Sequence, residues 1–225
     1  VAEAREAEQS VLPLQSEPRG RLRISAPESL AMSLLPEALL EFQRRFPRVE
    51  LDIRVSGRFV DLVEEGIDVA LRVGELADSS MIARRLMECR FHVCASPEYW
   101  KRHGTPEHPS DLRNHNCLIY SQSPKADIWV FKDKNGEDLG VRVTGNLRSD
   151  AGKLLLGAAL DGRGVLIGPT YMLARAVRET RLEPVLEDYD RPSTGLYAIH
   201  PHSKLVSSKV RAFVDYCVEA WSDLA

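Results

Sequence analysis

The chain has 225 residues, 44% of them hydrophobic and 28% charged, enough apolar material for the core of one large domain or two small ones. A formal charge of -3 offers no basic face to collect phosphates, which argues against this chain gripping nucleic acid by itself. The absence of any apolar run of about 18 residues, and of a basic-then-apolar leader, points to a cytoplasmic protein that meets no membrane.

Residues 1–18 are rich in Ala and Glu, break at Pro13 and Pro18, and read as the tail of a helix entering a linker; with no initiator Met, a fragment is expected. Leu22 to Ala26 alternates as a strand, Pro27 turns the chain, and Leu30, Leu34, Leu35, Leu39, Phe42 and Phe46 recur at helical spacing. Val49 to Ser56 is a second strand. Phe59 to Glu65 is expected as a short helix ended by Gly66, and Ile67 to Val73 as a strand stopped by Gly74. After a polar loop, Glu75 to Ser80, and an unassigned stretch, Met81 to Met87, comes a strand at Phe91 to Ala95.

Beyond Pro97 the pattern shifts. A short helix, Tyr99 to Gly104, leads into a Pro-rich connection in which His103, His108 and His115 read as solvated. Strands follow at Cys117 to Ser121, Ile128 to Lys132 and Gly140 to Val143, with an Asn-Gly hairpin signal at Asn135-Gly136. Helix Ala151 to Leu160, strand Val165 to Ile167 and helix Thr170 to Glu179 form a second α/β unit. Leu182 to Leu186 and Leu196 to Ile199 are strand-like, and Ser207 to Trp221 is a helix with Val210, Phe213, Val214, Cys217 and Trp221 on one face. That last helix is expected to pack on the first half of the chain, whose sheet would otherwise lie uncovered. Two lobes with two crossing segments, near 95 and 194, and a ligand cleft between them follow from this.

The turn after the first strand is the favoured binding position, because helix amides and the Ser29 hydroxyl meet there at a sheet's carboxyl edge. Ser29 has a plainer alternative as a helix cap. Glu28 beside it counts against a carboxylate effector unless its side chain turns to solvent. Cys89, Cys94, Cys117 and Cys217 match neither a C-x-x-C site nor a disulfide framework and read as reduced, mostly buried thiols; Cys89, His92 and Cys94 lack a fourth metal ligand and common facing. No catalytic motif stands at a strand-to-helix turn: G-R-G-V-L-I-G (Gly162 to Gly168) precedes a strand instead of a helix. An enzyme is not expected, nor a cofactor or metal.

Three strings in order, D-L-V-E-E-G-I-D-V-A-L-R (Asp61 to Arg72), D-S-S-M-I-A-R-R-L (Asp78 to Leu86) and V-C-A-S-P-E-Y (Val93 to Tyr99), together with G-R-G-V-L-I-G-P, make the chain resemble the effector-binding domain of LysR-type transcriptional regulators from Gly20 to Trp221. The resemblance implies an α/β, two-lobed fold of the periplasmic-binding-protein type 2 kind, each lobe a mostly parallel sheet flanked by helices, with two crossover strands. Residues 20–95 plus 194–225 would form lobe I, 96–193 lobe II, and 1–18 the end of a linker helix. It implies a small-molecule effector, an organic or amino acid, and a homodimer, with a tetramer open for the full-length protein. DNA would be reached only through an N-terminal winged helix-turn-helix domain outside this chain.

Carried over by position, Ser29 and Leu30, Arg58, Arg72 and Gly74, and Ser149 and Asp150 would contact effector. Arg72 has the alternative of pairing with Asp68, and Ser149 or Asp150 of capping the next helix. The first helix and second strand would meet the second-lobe helix of a partner chain through Leu39, Phe42, Leu155 and Ala158, residues that must also serve each lobe's own core. The alternative function is a solute-binding protein of a transport system with the same fold, which would require an export signal and an oxidising compartment for four unpaired cysteines.

Overall fold

The computed structural model describes residues 17–56, 62–74, 81–123, 125–202 and 206–222. Residues 1–16, the expected helix tail, Arg58 and the loop at 75–80 lie outside them. In chain order the elements are β1 (Gly20–Ala26), α1 (Glu28–Ala31), α2 (Leu35–Arg45), β2 (Val49–Val55), β3 (Val69–Val73), β4 (Met81–Cys89), β5 (Phe91–Ala95), α3 (Pro97–His103) and a 3-10 turn (Pro109–Asn114). There follow β6 (Cys117–Tyr120), β7 (Ile128–Lys132), β8 (Asp138–Arg142), β9 (Arg148–Ser149), α4 (Gly152–Leu160), β10 (Val165–Pro169), α5 (Thr170–Arg178), β11 (Glu183–Val185), β12 (Thr194–Pro201) and α6 (Ser208–Trp221). The chain forms two compact units: Val1–Pro27, Leu34–Glu88 and Gly195–Ala225 in the first, Glu28–Ser33 and Cys89–Thr194 in the second.

The first sheet runs β2-β1-β3-β12-β4. β1 pairs in parallel with β2, from Gly20 opposite Val49 to Ala26 opposite Val55, and with β3, whereas β3 and β12 are antiparallel. Leu22, Ile24, Ala26, Val69 and Leu71 are fully buried, as expected of parallel strands covered on both faces. α6 packs back on α2, as its apolar face required: the Phe42 and Phe213 rings meet edge to face at 5.3 Å, and Tyr216 lies 5.6 Å from Phe42.

Two expectations need correcting here, and one unassigned stretch takes a definite form. The helix expected from Leu30 to Phe46 is two helices, because Pro36 has no N–H for a bond back to Met32 and is tolerated only in the first turn of α2. The described part of the helix expected at Phe59 to Glu65, residues 62–66, is turn, closed by Gly66 at a φ of 63°. Met81–Cys89 is a nine-residue strand at the sheet's edge; its Arg84-Arg85 pair broke the alternation that would have revealed it.

The second sheet, β11-β5-β10-β6-β9, is also mixed: β10 is antiparallel to β5 and parallel to β6. Both sheets are therefore less parallel than expected. Successive residues serve opposite faces, as the pleat demands. Val93, Ala95, Cys117 and Val165 pack with Tyr99, Trp100, Trp129 and Phe131 on one face, and Cys94, Leu118 and Leu166 with Leu155, Met172 and Leu173 on the other. The β7–β8 hairpin turns through Gly136 at a φ of 80°, with Asp133 Oδ1 accepting from the amides of Asn135 and Glu137. Of the histidines expected in solvent, His103 and His108 are exposed, as expected, whereas His115 is buried. His115 is buried edge-on to Trp100, His103 stacks on Tyr99 one helical turn away, and His108 Nδ1 accepts from the Ser110 amide.

Candidate functional site

Ser29 sits one turn beyond β1 in α1, and Tyr171 is the second residue of α5, reached directly from β10. Both are placed by a strand handing over to a helix. Their hydroxyl oxygens lie 3.2 Å apart, and either can donate. Burial pushes the Tyr171 phenol above its ordinary value, against the smaller opposing effect of the Ser29 hydrogen bond, so it stays neutral and keeps a proton to donate.

Glu28 does not turn to solvent. Its Oε2 accepts from the Lys153 amide at 3.3 Å. α4 needs this, because its N-cap position is Ala151, which has no side chain to bond the first amides. Glu28 thus caps a helix 125 residues away in sequence. Gly152 permits the approach: a Cβ there would come within 3.3 Å of Met172 Sδ and 3.5 Å of Ser29 Cβ.

Ser149 closes β9, opposite Tyr120 of β6, and its Oγ accepts from the Ala151 amide at 3.0 Å. It braces the turn just ahead of α4, close to the capping role weighed for it. Asp150 is exposed. The Tyr120 phenol is pushed up chiefly by burial and further by the carboxylates of Asp150 and Glu28. Lys153 is half-buried; desolvation lowers its ammonium pKa, and Glu28 opposes that. Of the expected contacts, Ser29, Ser149 and Asp150 are therefore grouped in the second unit with Tyr171, Tyr120, Glu28 and Lys153.

The remaining expected contacts have the following surroundings. Leu30 is fully buried and anchors α1. Arg72, in the first unit, is buried and does not turn to Asp68, which instead pairs with Lys209 at 2.7 Å. Its Nη1 donates to the Leu71 carbonyl at 2.8 Å and its Nη2 to Ser25 Oγ at 3.0 Å, while burial lowers its pKa. Gly74, at a φ of 136°, donates its amide to the Gly195 carbonyl and ties the end of β3 to the start of β12. Arg58 lies outside the described residues.

At the expected contact faces, Phe42 and Leu155 are fully buried within their own units, while Leu39 and Ala158 are half-buried. Their neighbours Leu40, 59% exposed, and Leu154, 52% exposed, are among the exposed large apolar residues, with Met32, Val55 and Val63. The thiols of Cys94 and Cys117 are pushed up to about 12 by burial, and that of Cys217 is pushed up as well, so all three are unreactive core side chains. Among the described residues no three of His, Cys, Asp and Glu converge as metal ligands.

A family model described as the LysR substrate binding domain matches residues 15–222. The chain belongs to that family. An HTH-type transcriptional regulator CrgA of Neisseria meningitidis is 30% identical over 214 residues, spanning 95% of this chain and 71% of that protein. An HTH-type transcriptional regulator of Xanthomonas campestris is 36% identical over 221 residues, spanning 96% of this chain and 64% of that protein.

The solved regulatory domain of CrgA superposes with a TM-score of 0.82 at 29% identity, covering 90% of this chain and 99% of that one. Full-length AphB, a virulence activator of Vibrio cholerae, superposes at 0.81 with 26% identity, covering 97% of this chain and 74% of that one. The fold is accordingly the periplasmic-binding-protein-like fold of LysR regulatory domains, with mixed sheets, and the chain is an effector-binding regulatory domain. Its relatives are transcriptional regulators, not enzymes, and the regulatory reading displaces the transport alternative. In this LysR domain, the neighbours Tyr171, Tyr120 and Lys153 of the candidate group were not expected from sequence. Tyr171 could have been found by the same rule as Ser29, since it follows a strand that ends in Gly168-Pro169.

Proposed function

We propose that this LysR domain binds a small organic effector against the Ser29–Tyr171 hydroxyl pair, with Ser149, Asp150, Tyr120, Glu28 and Lys153 around it, and passes the binding on to a DNA-binding domain like those of its HTH-type relatives. The observation that carries this reading is the hydroxyl pair itself. Two neutral groups at two strand-to-helix turns, each half-buried, hydrogen-bond to each other at a length that a ligand can take over. Binding changes the regulator only as far as the effector prefers one of its arrangements over another. Residues 1–18 are the end of a linker helix in this reading, and the protein acts in the cytoplasm, where its DNA is.

The domain also pairs with a second copy, through Leu39 and Leu40 of α2 in one chain and Leu154 and Ala158 of α4 in the other. Support comes from the exposure of Leu40 on α2, Val55 on β2 and Leu154 on α4, the elements expected at the contact.

A thermal-shift screen against amines, amides, aromatic compounds, amino acids and organic acids tests the effector reading. At a hundred times Kd a ligand adds about 2.7 kcal/mol of stability, a shift easily seen. A binder that loses roughly ten-fold or more in Kd with Ser29→Ala supports the site; binders indifferent to both Ser29→Ala and Tyr171→Phe reject it.

A further inference from the structure

A helix start that lacks its own cap attracts anions, and the first turn of α4 beside Ser29 would be the natural seat for an effector's carboxylate. In this chain the seat is taken. Glu28 Oε2 accepts the Lys153 amide at 3.3 Å, and a Cβ on Gly152 would lie 3.5 Å from Ser29 Cβ, so the two segments run side by side. Its other oxygen, Oε1, has no hydrogen-bond partner among the described residues, on a side chain that is half-exposed. Asp150 stands exposed three residues ahead of Lys153, and both carboxylates bear on the Tyr120 phenol.

Resting on the effector site proposed above, we infer that Glu28 is a resident anion that selects the ligand class: it excludes free carboxylates from the start of α4 and receives, through Oε1, the amino group of an amine effector whose polar remainder meets Ser29 and Tyr171. A carboxylate ligand would have to displace Glu28 from the Lys153 amide and leave two negative groups side by side, with the Lys153 ammonium to compensate only one of them. An amine pairs with the group already there. Glu28 is then a specificity-determining residue as well as a helix cap.

The test uses the 15N-labelled chain and follows the amide signals of Lys153, Gly152 and Ser29 during titration with sodium acetate or methylammonium chloride, each against sodium chloride at the same ionic strength. In the wild type, acetate is expected to leave Lys153 where sodium chloride leaves it, and methylammonium to shift it saturably. In Glu28→Ala the order reverses, with acetate affinity at Lys153 rising roughly three-fold or more and the methylammonium response lost. Glu28→Gln keeps an acceptor for the Lys153 amide without the charge, so it guards against damage to α4; it should lose the methylammonium response while Lys153 stays in place. The inference is overturned if acetate shifts Lys153 equally with and without Glu28, if neither variant gains an acetate response, or if methylammonium binding survives both. Because these probes do not depend on knowing the effector, an effector found to bind away from Ser29 would remove the site proposal while the charge preference of Glu28 stood or fell on its own titration.

Discussion

The two units place polar side chains at the ends of buried strands in the same way and use them differently. In the first, Arg72 spends its guanidinium on Ser25 Oγ and the Leu71 carbonyl, inside a sheet sealed on both faces. In the second, half-buried Ser29 and Tyr171 share a hydroxyl–hydroxyl bond of 3.2 Å, and half-buried Glu28 accepts the Lys153 amide at 3.3 Å. On the reading proposed above, a polar residue at a strand's end is a scaffold group where the strand is sealed and a binding group where the next helix starts.

Substitutions can sharpen this contrast. The largest effect is expected in the first unit's core, where Phe42→Ala should lower the unfolding free energy by about 3–5 kcal/mol in a denaturant titration, because the ring is fully buried between α2 and α6. Arg72→Met should cost about 1–3 kcal/mol by leaving the Ser25 hydroxyl without its donor, and should leave effector Kd unchanged. If Arg72→Met instead abolished binding at unaltered stability, the contrast between the units would be broken. Ser29→Ala is expected to show the converse: stability within about 0.5 kcal/mol of wild type, with roughly ten-fold weaker effector binding in calorimetry. Smallest in folding energy is Leu154→Glu, also within about 0.5 kcal/mol, yet sedimentation should show self-association weakened, as with Leu40→Glu; a dimer unaffected by either removes the proposed contact.

Much of the fold was legible because alternation and helical spacing are strong where one face is buried. β1, β2 and the helices α4, α5 and α6 fall where the apolar pattern puts them. β4 was hidden because an edge strand with Arg84-Arg85 at its middle answers to no single buried face, and the break between α1 and α2 lay in Pro36, visible in sequence but outvoted by the leucine spacing. The site was legible only in half. Ser29 follows from a local rule, but Glu28 reaching Lys153 and Ser29 reaching Tyr171 span 125 and 142 residues, and no periodicity reports which distant helix start lacks its own cap. The enclosure of Arg72 was hidden for a related reason: a charged residue near a strand's end looks exposed in sequence until the sheet is seen to bury it.

The most direct measurement is an amide chemical-shift map of the labelled domain with a binder from the screen. The account predicts that the largest changes fall at residues 28–30, 149–153 and 170–172, with the amides around Ser25 and Arg72 little moved. Changes centred on β3 and Arg72, with Ser29, Lys153 and Tyr171 unmoved, would contradict it.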